Sequence, residues 1–277
     1  MKFNILGSIQ MLHEGESCTP SAPKVRRTLA LLLLRTNHLV NTSSLIDELW
    51  CDNPPRSAIT TTQTYIYQLR KILLRVLGEQ AAAEMLLTQP PGYVLRLEDD
   101  QLDVKVFDRL AEQGRDLVAR NRLEDGSRVL RAALSLWRGS ALADVTAGPI
   151  LESYVSHLEE TRIRTLELRV QTDVRLGRYR ELIPELRSLV ATHPLNEWFH
   201  AQLITALRQA GRRGEALQAY QSLRRVLRDD LGLEPSQSVR RLQEDLLNGG
   251  DQQGSLATVV ELPSPAERRE FGSLAII

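Results

Sequence analysis

The chain has 277 residues, with 35 Lys or Arg against 35 Asp or Glu and 42% hydrophobic residues. This globular composition allows about two domains with cores of their own, since domains run to roughly 100–150 residues. The zero net charge hides a small offset, because residues 1–97 carry 10 cations against 7 anions and the remainder 25 against 28. That offset is a weak pointer to a polyanion partner for the first part. The longest apolar run, LALLLL at 29–34, is far shorter than a membrane span. The first residues, FNILGSIQML after a single Lys, are too short and too polar for a secretory leader. Cys18 and Cys51 form no metal, redox or disulfide spacing. We therefore expect a cytoplasmic protein with reduced thiols and no membrane partner.

Lys2 to Leu12 alternates enough for one or two short strands around a turn at Gly7-Ser8, and Glu14-Gly15-Glu16 marks a second turn. A helix begins near Pro23 and runs through KVRRTLALLLLR, with an apolar side broad enough for the centre of a small core. Lys24, Arg26 and Arg27 cluster in its first turn, where cations oppose the helix dipole, so something else must hold them. A phosphate strand is one candidate and solvent is the other. Asn41-Thr42-Ser43-Ser44 offers capping oxygens, and Ser44 with Asp47 fits a capping box for the short helix SLIDELW. Asp52-Asn53-Pro54-Pro55 ends that helix.

The stretch Arg56 to Arg75 predicts a long amphipathic helix. Ile59, Thr62, Ile66, Leu69 and Leu73 step by three or four and mark its buried face. The opposite face carries Thr61, Thr64, Gln68 and Lys71, and every charge in the stretch is positive. By itself this pattern fits a solvated basic helix as well as a helix that enters a major groove, where Gln bonds adenine twice and Lys or Arg neutralises phosphate. Short helix, Pro-containing turn and long outward-facing helix follow one another as in a helix-turn-helix. Next, MLLTQ, Pro90-Pro91-Gly92 and YVLRL predict a β-hairpin placed as a wing that approaches the minor groove, with Thr88 and Gln89 expected to reach phosphate or sugar and Tyr93 packing its base.

The strings PKVRRTLALLLLR, ELW with NPPRSA, TYIYQLRKIL and TQPPGYVLRL, in this order and spacing, resemble the OmpR-type winged helix of the Streptomyces antibiotic regulatory proteins. The resemblance implies that the long helix presents Thr60, Thr61, Thr64, Gln68 and Lys71 to DNA, with Arg70 and Arg75 toward the backbone. The wing tip, Gln-Pro-Pro-Gly, departs from the family in lacking the Arg that many such wings carry.

Glu98-Asp99-Asp100-Gln101 forms a polar boundary, after which the pattern is helical. Segments are expected at 103–119, 124–137, 150–176, 179–192, 197–209, 213–231 and 235–247, separated by Gly and Pro breaks. Gly177-Arg178-Tyr179-Arg180-Glu181-Leu182 recurs as Gly211-Arg212-Arg213-Gly214-Glu215-Ala216. The shift is the tetratricopeptide period, with the Gly opening a turn between helices and the residue five places on packing them. Asn121 to Trp137 reads as a worn earlier second helix. ALSLWRGSALADV, HPLNEWFHAQLITAL, AGRRGEALQAYQSLRRVL and LGLEP resemble the bacterial transcriptional activation domain of the same regulators. The expected fold is mainly α with small β: an N-terminal winged helix-turn-helix at 1–97, an all-α tetratricopeptide-like domain at 103–248, and a flexible tail at 249–277.

A Gly-rich phosphate loop, metal-spaced His and a nucleophile elbow are all missing from the sequence. No enzyme activity and no cofactor are expected, nor the ATPase or phosphopeptide-binding module that larger relatives add. The three Trp residues and the His193/His200 pair read as core and cap groups. The resemblance implies a transcriptional activator of a secondary-metabolite gene cluster that binds promoter direct repeats side by side and recruits RNA polymerase. A tetratricopeptide-type adaptor without base-specific DNA binding is the competing reading.

Overall fold

The computed structural model describes residues 1–248, so the expected tail at 249–277 lies outside the described residues. The chain forms two compact units, Met1–Thr172 and the residues from Asp173 onward.

In the first unit, strands β1 (Lys2–Asn4), β2 (Gln10–His13) and β3 (Glu16–Ser17) make an antiparallel meander. Glu14 and Gly15 form the tight turn that the sequence marks, both at positive φ. Helix α1 (Pro23–Leu34) starts on Pro, whose missing N–H costs nothing at a helix start. It buries Val25 and the whole run Thr28–Leu33. A two-residue strand, β4 (Val40–Asn41), leads straight into α2 (Thr42–Trp50).

The capping box expected at Ser44 and Asp47 is not formed: α2 starts two residues earlier, after Asn41, with no side-chain cap. Pairing of β4 with the wing sets that start, and the Thr42 amide and hydroxyl both donate to the Pro91 carbonyl, at 3.2 and 2.9 Å.

The long helix is α3 (Ala58–Leu77), followed by a short helix, α4 (Glu79–Met85). The wing is β5 (Leu86–Gln89) and β6 (Gly92–Leu95), and the three-stranded sheet has the order β4-β6-β5. Tyr93 is buried in the same core as Ile66, Leu69 and Leu73, as expected for the hairpin base.

That core continues into the helices that follow. After a 3₁₀ turn at Asp99–Gln101 come α5 (Asp103–Ala119), α6 (Leu123–Leu134) and α7 (Pro149–Arg175). Helix α6 stops short of Trp137, which instead meets Phe107 edge-on at 5.5 Å and lies under the Arg162 guanidinium. The second unit contains α8 (Tyr179–Thr192), α9 (Glu197–Gln209), α10 (Arg213–Leu231) and α11 (Gln237–Leu247).

The repeat seen in the sequence is a repeat of backbone geometry. Gly177 and Gly211 have φ of 74° and 77°, and the amides of Arg178 and Arg212 reach back to the carbonyls of Asp173 and Leu207. Five places on, Leu182 and Ala216 are buried. Between α5 and α6 the same turn is made by Asn121 at φ 58°, with Arg122 N–H on the Leu117 carbonyl and buried Gly126 five places on. Asn tolerates the left-handed region better than most residues, so the earlier copy keeps its geometry without the glycine.

Three acidic side chains fasten the helices after the wing to the winged helix. Glu48 on α2 has a side chain only 1% exposed and accepts Nε of Arg27 on α1 at 2.8 Å. It also accepts the amides of Gly148, Ile150 and Leu151 at 2.5, 3.0 and 3.1 Å, and so caps α7. A carboxylate there satisfies amides that the helix cannot and complements its dipole. A Cβ on Gly148 would lie 2.1 Å from the Arg27 guanidinium and 2.4 Å from the Glu48 carbonyl, so no other residue fits.

Asp103, at the start of α5, accepts the amides of Ile5 and Leu6 at 2.9–3.0 Å, and burial still pushes its carboxyl above the usual range. Asp144 binds the Ile9 amide and Arg26, at 2.7 and 2.8 Å.

Two expectations follow. Glu48→Ala removes the cap and strands the Arg27 charge, so it destabilises by about 3–5 kcal/mol, read as a lower urea midpoint with unchanged slope. In the second unit, His200 is buried with Nε2 against the Pro194 carbonyl at 3.1 Å, and burial lowers its pKa. Its neutral form is therefore favoured by folding, and that stability is present at neutral pH and lost as pH falls below the ordinary histidine value. The urea midpoint should drop on acidification between about pH 7 and pH 5, and His200→Gln should flatten that dependence.

Candidate nucleic-acid interface

Helix α3 is 20 residues long and contains no acidic residue. Its buried stripe is Ala58, Thr62, Ile66, Leu69 and Leu73. The expected assignment of Ile59 to this face is corrected, since Ile59 is 59% exposed and Ala58 takes the place. Both positions are in phase with Thr62 at the first turn, and periodicity does not choose between them. Thr62 is buried because its hydroxyl donates to the Ala58 carbonyl at 2.8 Å, which satisfies it inside the helix.

The outward side carries Thr60, Gln63, Thr64, Tyr67, Gln68, Lys71 and Arg75, all exposed. Thr61 is half-buried, with its hydroxyl 3.4 Å from that of Ser57. The Thr64 hydroxyl donates to the Thr60 carbonyl at 2.9 Å, which leaves its oxygen lone pairs facing out as acceptors. Among the described residues the side chains of Gln63, Gln68, Lys71 and Arg75 make no hydrogen bond or ion pair. Gln63 and Tyr67 were missed by the sequence reading, which followed one line of i,i+3/i+4 positions. The signal was present, because both lie one turn from Thr60 and Thr64 on the acid-free side.

Several basic residues expected to face phosphate are used within the protein instead. Arg70 is half-buried, donates to the Leu86 carbonyl at 3.0 and 3.3 Å and to the Thr88 hydroxyl at 2.7 Å, and sits over the Tyr93 ring. It ties α3 to the first wing strand, so Arg70 is a strut and Thr88 its acceptor. Gln89, at the end of β5, is exposed.

On α1, Lys24 stands 4.4 Å above the Trp50 ring, Arg26 bonds the Pro20 carbonyl and Asp144, and Arg27 bonds Glu48. The question of what holds these three cations has a protein answer: an aromatic face and two carboxylates. The acids lie 118 and 21 residues away in sequence, which local pattern does not reveal.

Between α3, α4 and β5 runs a groove lined by Tyr67, Lys71, Leu74, Ala83, Leu87 and Thr88. It separates the outward side of α3 from the wing. Tyr67 and Leu74 are 65% and 49% exposed.

Residues 102–247 match the family described as Bacterial transcriptional activator domain. The chain is 43% identical over 250 residues to Regulatory protein DnrI of Streptomyces peucetius, covering 89% of this chain and 92% of that protein. It is 32% identical over 265 residues to Regulatory protein AfsR of Streptomyces griseus, covering 96% of this chain but only 26% of AfsR. The solved structure of Mycobacterium tuberculosis EmbR in complex with low affinity phosphopeptide superposes with a TM-score of 0.81 at 33% identity, over 90% of this chain and 65% of that one. Large parts of AfsR and EmbR thus have no counterpart in the matched region. With its winged helix, its tetratricopeptide-like helices and these matches, the chain belongs to the Streptomyces antibiotic regulatory protein family of transcriptional regulators.

Proposed function

We propose that this transcriptional regulator is a sequence-specific DNA-binding activator of an antibiotic or other secondary-metabolite gene cluster. It reads promoter direct repeats through α3 and recruits RNA polymerase. The observation that carries the reading is the outward side of α3, where the Gln63 and Gln68 amides, the Thr60 hydroxyl and the lone pairs of the Thr64 oxygen stand among cations with no acid in the helix. A surface that leaves side-chain amides and hydroxyl lone pairs free beside Lys71 and Arg75 matches base edges flanked by phosphates. The wing, held to α3 by Arg70, brings Gln89 near the adjacent backbone.

Single modules of this size bury only about 600–1,000 Å² of protein surface on DNA. Two or more subunits side by side on direct repeats supply the missing affinity, with residues 1–97 binding DNA and 103–248 making the contacts to polymerase. DnrI is named a regulatory protein of Streptomyces peucetius, and the similarity along nearly the whole length of both chains supports a like role in a like gene setting.

The test is a fluorescence-anisotropy titration of a promoter fragment from the gene's own neighbourhood, with random duplex as control, at two salt concentrations. Wild type should prefer the promoter fragment and lose affinity steeply with salt. Gln68→Ala should cost about 1–3 kcal/mol on the promoter fragment and relax preference at one base pair. Lys71→Ala should weaken all duplexes alike and lower the salt slope by about 1. Binding of wild type that ignores both sequence and salt would sink the reading in favour of the protein adaptor.

A further inference from the structure

We infer that the groove between α3, α4 and β5 is a cradle for the DNA strand that separates the two grooves read by helix and wing, with Tyr67 and Leu74 packing on its deoxyriboses. The inference rests on the DNA-reading proposal and adds residues that periodicity did not select. A helix in the major groove and a hairpin at the neighbouring minor groove must have one sugar–phosphate strand between them. In this protein the surface between those two elements is the groove lined by Tyr67, Lys71, Leu74, Leu87 and Thr88.

Its chemistry fits a sugar–phosphate strand better than a base edge. The floor is apolar, from Leu74, Ala83 and Leu87, and can cover deoxyribose carbons. The rim is polar, with the Lys71 ammonium and the Thr88 hydroxyl available to phosphate oxygens. The Thr88 oxygen accepts from Arg70 at 2.7 Å, which leaves its own hydrogen to donate outward. Glu79, the first residue of α4, also lines the groove just past the end of α3. Its carboxylate repels phosphate and marks where the strand leaves the protein.

The outward side of α3 then divides into two neighbouring stripes. Thr60, Thr64, Gln68 and Arg75 lie outside the groove lining and face the bases and the far strand. Tyr67, Lys71 and Leu74, at spacings of four and three, lie within it. An exposed tyrosine and leucine in this position are covered once the strand seats, and the apolar contact adds affinity without reading sequence.

The experiment uses the full chain and the variants Tyr67→Ala, Leu74→Ala and their combination. Each is titrated by anisotropy against the promoter fragment and a random duplex across a salt series. Both side chains are exposed, and unchanged urea midpoints verify folding. The double variant should lose on the order of tenfold in affinity for both duplexes by the same factor, with the slope of log affinity against log salt unchanged. Three outcomes overturn the cradle: a loss confined to the promoter fragment, which makes Tyr67 a base contact; a loss of binding cooperativity alone, which makes the groove a docking site for a second copy; or no change on either duplex. If wild type binds neither duplex, the DNA-reading proposal itself fails, and that result is distinct from a silent variant of a protein that binds.

Discussion

A buried carboxylate with four hydrogen-bond donors sits where the winged helix meets the helices after it. Glu48 alone in that place would carry a heavy desolvation cost, but Arg27 and the first amides of α7 surround it. The result is directional in a way that apolar packing is not, because the carboxylate fixes the start of a 27-residue helix against the α2 helix that also supports α3. Asp103 and Asp144 act alike on the connection between β1 and β2, Asp103 accepting the amides of Ile5 and Leu6 and Asp144 that of Ile9. The first compact unit therefore reaches Thr172, well past the wing.

These acids also sort the cations. Arg26 and Arg27 are drawn into the protein by Asp144 and Glu48, and Arg70 by the wing backbone, while Lys71 and Arg75 stay outside on α3. The protein is neutral overall, while α3 carries cations and no acidic residue. Cations grouped on one helix side orient a polyanion at short range, roughly 8 Å in physiological salt. The proposed division of the helix surface follows from this: amides and hydroxyls toward bases, Lys71 with apolar neighbours toward the backbone.

Elements with strong periodicity were legible in the sequence. The bounds expected for α5, α8, α9 and α10 agree with the structure, as do the turn glycines 177 and 211, because each depends on local pattern and punctuation. The two-residue strands β3 and β4 and the short α4 were not legible, since two to seven residues hold too little pattern and owe their form to pairing partners. The start of α2 was misplaced because its backbone is fixed by the distant Pro91 carbonyl rather than by a cap. In the candidate site, helical spacing placed Thr64, Gln68 and Lys71 outward, where they are exposed, and Thr61, which is half-buried; Thr60 and Arg75, also exposed, came from the family resemblance. The roles of Arg26, Arg27 and Arg70 were hidden because their partners are remote in sequence, and a lone arginine looks the same in phosphate-binding and structural settings.

In the proposed reading the outward side of α3 enters a major groove at repeated sites. Dimethyl sulfate footprinting of guanine N7 on the promoter fragment tests it most directly, since that atom lies in the major groove. Protected guanines are expected in two or more clusters, in the same orientation and separated by a whole number of helical turns. Protein-bound DNA whose guanine N7 positions all stay reactive would contradict it.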